Sequence, residues 1–167
     1  MTEIKLSEEQ EDLARTKAIE RQSQSEARRN ANRHGASANR TPEEDLKLHL
    51  SGCRGELAAA VAYGVDAPLH VNVYHSVADI GLAGEVRTRS RSDYDLLIRD
   101  DDAEDRYYIL VIGTSVWGNP LTVVGGIWGK EAKNHPEWRK NWGGHGEAWF
   151  VPQEFLSVPE ATPKGFV

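Results

Sequence analysis

The spacing of apolar residues divides the chain into helical and extended stretches. Residues 7–33 contain neither Gly nor Pro and are rich in Glu, Gln, Arg and Ala, residues that favour helix. Leu6, Leu13 and Ile19 are almost the only large apolar side chains there. With so little to bury, this helix is expected to stand off the core or to pack on a partner. Its charge runs from Glu8, Glu9, Glu11 and Asp12 to Arg28, Arg29 and Arg33. Acid first and base last matches a helix macrodipole; the basic end is alternatively a nucleic-acid contact. Residues 34–40 read as a linker.

Thr41, Pro42 and Glu44 signal a second helix. Thr41 can accept from the Glu44 amide, the Glu44 side chain can reach back, and Pro42 takes the first helical position. Leu46, Leu50, Cys53, Leu57, Ala60 and Val61 recur at steps of three and four, marking one buried face. Gly64 stands where a C-terminal cap is expected. Glu56 lies about 90° from the centre of that face, at about 100° per residue. It shares this flank with His49, Gly52 and Tyr63, and Gly52 would let another backbone approach closely.

Beyond Gly64 the period shortens to two. Val71, Asn72, Val73 and Tyr74 alternate as a short strand, and residues 82–88 and 94–98 read as two more. Residues 100–105 are an acidic connection without the ligand spacing or glycine of a calcium loop, and so a solvated turn. Residues 107–112 are apolar throughout, as a central strand covered on both faces should be. Residues 121–128 form another strand, with Gly125 and Gly126 marking a bulge or bend. A short helix at Lys130 to Lys133 follows, then an irregular loop over residues 135–145 anchored by buried tryptophans. Ala148 to Val151 are a last strand. The expected fold is α/β: a central mixed sheet flanked by helices, with a charged N-terminal helix. Residues 1–40 are an arm and linker, 41–156 the domain, and 157–167 a loose tail.

Composition narrows the classes. The net charge of −6 argues against a general charge-driven nucleic-acid binder, because phosphate affinity comes largely from Lys and Arg; a local basic groove remains compatible with it. Cys53 is the only cysteine, so the chain forms neither an intramolecular disulfide nor a thiolate zinc cage. No apolar run approaches about 20 residues and the N-terminus is acidic and polar, which points to a cytoplasmic protein without membrane attachment.

The strongest chemical signal is residues 79–87. On a strand, Glu85 and Arg87 project together while Val86 points the other way. Asp79 precedes Glu85 by six residues and can return across a turn at Gly81 or Gly84. Two carboxylates then stand beside one cation, and hard ions such as Mg²⁺ are held by one or two carboxylates plus waters and phosphate oxygens.

The order of these features resembles the PD-(D/E)XK nuclease superfamily, whose members place a helical Glu, an Asp at one strand start, and a Glu-x-Lys pair on the next strand. Gly55-Glu56-Leu57-Ala58, Asp79 and Glu85-Val86-Arg87 match in that order. The run from Glu85 through Leu97-Ile98-Arg99, Tyr108-Ile109-Leu110-Val111 and Trp149-Phe150-Val151-Pro152 is similar to small phage-encoded proteins of this type. The resemblance covers residues 45–156. It implies a restriction-endonuclease-like core and cleavage of DNA with Mg²⁺ or Mn²⁺ in a bacterial host. Asp79 and Glu85 would hold the metal, and Glu56 would bind a second ion or hold a water. Arg87 stands where the family has Lys. A guanidinium stays protonated and is no general base, yet it can stabilise phosphate charge. Arg89 and Arg91 would track the nucleic acid, or else simply be solvated.

Two readings follow. One is a metal-dependent phosphodiesterase. The other is a nuclease-like fold kept as a binding module that inhibits a host defence or nucleic-acid-processing enzyme. The N-terminal helix would then be the docking element for a host protein, and that helix also invites homodimer pairing.

Overall fold

Six consecutive apolar residues, Tyr107–Ile112, form the strand about which the chain is layered. In the computed structural model, which describes residues 1–31, 40–71, 77–141, 146–159 and 165–166, the strands are β1 (Thr2–Ile4), β2 (Gly84–Arg89), β3 (Leu96–Arg99), β4 (Tyr107–Ile112), β5 (Leu121–Trp128), β6 (Arg139–Asn141) and β7 (Glu147–Val151). The helices are α1 (Glu8–Ala31), α2 (Pro42–Tyr63) and the short α3 (Gly129–Lys133). The fold is α/β with two sheets. One is four-stranded in the order β1-β5-β4-β2; the other is three-stranded in the order β3-β7-β6. β4 runs parallel to β2 and antiparallel to β5, so the larger sheet is mixed. A register shift at Leu110/Val111 marks a bulge opposite the Val124–Gly125 step.

β4 feeds two cores by simple alternation. Tyr107, Ile109 and Val111 pack with α1 and α2, whereas Tyr108 and Leu110 pack with β3, β7 and α3. The main sheet therefore has helices on one face and the second sheet on the other, and not long helices on both. α2 sits close on the helix face because position 55 is glycine: a Cβ there would collide with the Thr88 side chain of β2. The ends of α2 follow the sequence, with a Thr41/Glu44 capping box and Gly64 at φ 66 and ψ 36. Val61 does not join the buried face; it is exposed.

The N-terminal helix departs from expectation. α1 does not stand off: Ala14 and Ala18 are fully buried in the helix-side core, while Leu13 and Ile19 are 41% and 47% exposed. Its contact face is Glu11, Ala14, Ala18 and Arg21, at steps of three and four. Small residues on that face let the helices approach, and charge does the rest. Arg54 of α2 is fully buried. It donates from Nε and Nη2 to the two Glu11 oxygens, each at 2.8 Å. It also donates to the carbonyls of Thr114 and, at 2.6 Å, of Asn119. The Gly118 amide adds a bond of 3.1 Å to Glu11 Oε1. One ion pair thus joins α1, α2 and the β4–β5 connection.

Three further expectations change. The acidic connection is not wholly solvated, because Asp102 is buried. The C-terminal segment is not loose where it is described: Ser157 pairs with Gly126 through two bonds of 2.9 Å, and Phe166 is fully buried against Tyr63 and Tyr107. The 135–145 loop contains a 3₁₀ turn, Pro136–Trp138, and β6, with Trp138 buried as expected. Residues 72–74 of the strand read at 71–74, most of the 34–40 linker, residues 142–145, and the side chains of Arg28, Arg29 and Arg33 lie outside the described residues. Among the described residues no helix is long and apolar enough to cross a membrane.

Removing one partner of a buried pair leaves the other charge uncompensated. Arg54→Ala should therefore cost about 3–5 kcal/mol in urea unfolding. An apolar double replacement, Glu11→Leu with Arg54→Met, should recover most of that loss, because it leaves neither charge stranded.

Candidate active site

The candidate residues gather around the exposed edge of β2. The chain enters from Asp79 through a tight turn: the Asp79 amide donates to Gly84 O at 2.8 Å, and Gly84 and Ile80 exchange bonds of 3.0 and 3.2 Å. Asp79 is thereby folded back along the strand it precedes. Its Oδ2 accepts the Val86 amide at 2.8 Å. The same bond satisfies an edge donor of β2 and fixes one carboxylate oxygen.

Alternation along β2 then sorts the rest. Val86 packs toward the helices. Glu85 and Arg87 take the opposite face, where the Arg87 guanidinium lies 5.4 Å from the centre of the Tyr108 ring. Arg87 also donates from Nη2 to Asp102 Oδ1 at 2.8 Å, while Asp102 Oδ2 accepts the Arg99 amide at 2.8 Å. The acidic connection therefore holds Arg87 in place.

Glu56 reaches Asp79 from the helix side. It is buried, not merely on a flank. Both its oxygens accept from Arg21 of α1, at 2.7 and 2.8 Å, and Arg21 Nε donates to His70 O at 3.0 Å. Asp79 feels the charges of both Arg21 and Arg87. Glu56 and Glu85 each feel Asp79. Asp79 is thus the acid that couples to both of the others, to Glu56 on the helix side and to Glu85 on the strand. Arg89 and Arg91 lie farther along, their guanidiniums 4.8 and 5.0 Å from the Tyr94 ring centre. Arg91 is further paired with Asp93 at 2.6 Å.

Burial dominates the electrostatics. It pushes Glu85 up to about 7, helped by the charge of Asp79 and opposed by Arg87 and Arg106. It pushes Glu56 up to about 7 against the pull of Arg21, and raises Asp79 against the Val86 amide. The three acids are not equally placed to take a ligand. Among the described residues, the buried acids Glu11, Asp45, Glu56 and Asp102 each meet a cation. Glu85, also buried, meets no hydrogen-bond donor there.

No family model, curated protein or solved structure matches this chain. What the site can do is therefore read from its own donors. Among the described residues, no group of three or more His, Cys, Asp or Glu stands together as a metal cage. Asp79 and Glu85 are nevertheless two hard oxygen donors, one oriented and one lacking a partner. Sites that hold a hard ion mainly through waters and phosphate oxygens take one or two such donors from the protein.

Sequence reasoning missed Arg21 and Asp102. Arg21 was legible as the last member of the Glu11, Ala14, Ala18, Arg21 stripe, had small and charged residues been counted as a packing face. Asp102 had no local signal, because its partner lies across a sheet-to-sheet connection.

The sign of the pH effect follows from the upward shift of Glu85. The unfolded chain releases that proton near its ordinary value of 4.5, so native stability falls as pH rises from about 4.5 to about 7. In metal-free protein, Glu85→Gln should raise stability by about 1–2 kcal/mol at about pH 8. The gain should vanish below about pH 4.5. Urea midpoints at the two ends of the range check it.

Proposed function

We propose that this chain is a metal-dependent phosphodiesterase acting on DNA, built on a nuclease-like core of the phage-encoded type that residues 45–156 resemble. The observation that carries the reading is Glu85, a largely buried residue whose carboxylate meets no hydrogen-bond donor among the described residues and stands beside Asp79, with only the charges of Arg87 and Arg106 to offset it. A titratable group raised by burial next to a second carboxylate marks a candidate functional site.

Asp79 and Glu85 would hold Mg²⁺ or Mn²⁺. When bound, that ion supplies a water of lowered pKa and a positive charge against the phosphate. The protein provides orientation. The Val86 amide holds Asp79 Oδ2, so that Oδ1 would be the oxygen offered to an ion. Arg87 binds the phosphate: Nη2 is anchored on Asp102 and the other guanidinium N–H groups are left to donate to phosphate oxygens. Anchoring keeps the cation in place as charge develops, which is where preorganised donors act most strongly. Arg87 accepts no proton, so it takes no part in base catalysis. Arg89, stacked on Tyr94, continues the basic line along the strand and would contact the backbone on one side of the scissile bond.

The second reading, a binding module that inhibits a host enzyme, draws on a different observation: Arg87 and Glu56 are already paired within the fold. The acidic net charge and Arg87 in place of Lys also lean this way, whereas a third support, an undocked N-terminal helix, is removed by the burial of Ala14 and Ala18.

Incubation of single- and double-stranded DNA with Mn²⁺ or Mg²⁺ should give cleavage that stops on chelation. Glu85→Ala and Asp79→Asn should each lower turnover by about 100-fold or more. Arg87→Ala should lower kcat by about 100- to 1,000-fold, as loss of a preorganised donor does. Parent-like cleavage by Glu85→Ala would sink the assignment. No metal-dependent cleavage at all would favour the binding module.

A further inference from the structure

Arg21 comes from the helix that looked least connected to the site, yet it makes the most complete contact with Glu56. The two bonds of 2.7 and 2.8 Å are a fork-on-carboxylate contact. The third, from Nε to His70 O at 3.0 Å, fixes the guanidinium from behind. Its position does not depend on a ligand, because α1 is locked to α2 one helical stretch earlier by Glu11 and Arg54. Arg21 also passes beside Gly52 of α2, its Nη1 lying 4.0 Å from where a Cβ would be, which is ordinary contact distance.

Asp79 has a carboxylate neighbour on each side, and the two sides differ. The Glu85 side has no donor on its carboxylate among the described residues. The Glu56 side already holds a positive charge. From this asymmetry we infer that Arg21 takes the place of a second cation, so that the site accepts one divalent ion, between Asp79 and Glu85, and Glu56 is not a metal ligand. The inference rests on the phosphodiesterase reading and departs from what the family resemblance implies for Glu56. A dication placed against Glu56 would face a fixed guanidinium, and like charges at such range repel strongly in a buried setting. Arg21 is thus a positioning residue: it neutralises Glu56 and leaves the charge of Asp79 for the ion on the other side.

The test counts bound metal and requires no turnover. Full-length protein is titrated with Mn²⁺ alone at about pH 8, with bound ion measured by electron paramagnetic resonance and calorimetry, and folding by circular dichroism. The parent should bind one ion, and so should Arg21→Lys, which keeps the charge. Arg21→Gln should bind two, and adding Glu56→Gln to it should return the count to one. Glu56→Gln alone strands the Arg21 charge beside Asp79 and should still bind one ion, more weakly than the parent. The double variant removes the pair together and should keep its ion with affinity within about threefold of the parent, since it removes no ligand. Two ions on the parent, one ion on folded Arg21→Gln, or a loss beyond about tenfold in the folded double variant would each overturn the inference while leaving metal chemistry intact. No Mn²⁺ bound by the parent would overturn the phosphodiesterase reading as well.

Discussion

A guanidinium with no exposed surface holds this molecule together. Arg54 lies at the meeting point of two helices and a strand connection, and it satisfies Glu11 and two backbone carbonyls at once. An ion pair so deeply buried gains little net stability, because the desolvation of both charges offsets most of the attraction. What it supplies is position. An apolar stripe tolerates sliding by a turn; a bidentate contact with two further carbonyl acceptors does not. α1 carries few large apolar side chains on its inner face, so the register of α1 against α2 rests on this contact more than on hydrophobic fit.

That register reaches the candidate site. Glu11 and Arg21 are ten residues apart on α1 and share its inner face; fixing the first against Arg54 presents the second to Glu56, two residues beyond Arg54 on α2. The structural and the chemical pair are two contacts of one helix interface. A change that loosens the Glu11 contact therefore disturbs the electrostatics around Asp79 without touching it. The β2 edge is held from the other side by a separate device, the Asp102 clamp on Arg87. The acids thus sit between two anchored guanidiniums belonging to different layers of the fold.

Much of this was legible in the sequence, and the limits have physical causes. The α2 helix with its capping box and Gly64, the central β4, the bulge near Gly125 and the turn that returns Asp79 to β2 all follow from short-range rules, and short-range rules are what a single sequence displays. The packing of α1 is hidden from a hydrophobic pattern because its inner face is made of Ala and charged residues, while its large apolar residues, Leu13 and Ile19, face outward. The second sheet was missed as a separate layer because the chain alternates between sheets, from β2 to β3 and back to β4, and periodicity says which face of a strand is buried but not against what. Phe166 gave no periodic signal at all, being one aromatic residue in a polar terminus. The candidate acids were found individually; their distribution over two faces of β2 depends on which face α2 covers, and that is a long-range fact set partly by Gly55.

The acids themselves form an internal comparison that bears on function. Where this fold buries a carboxylate for structural ends, it supplies a cation: Arg54 for Glu11, Arg40 for Asp45, Arg21 for Glu56, Arg87 for Asp102. Glu85 is buried to a similar degree in a strand where Thr or Val would serve the sheet better, and its neighbour Asp79 makes matters worse by adding a like charge. Such an arrangement opposes folding at neutral pH, and the charges of Arg87 and Arg106 offset it only in part. A cation from solution would supply the remainder. The Val86 amide already restrains Asp79, so the entropy of ordering that ligand is met by the fold before any ion arrives. The electrostatic cost at Glu85 and the oriented donor beside it are the two features on which the proposed cation site rests.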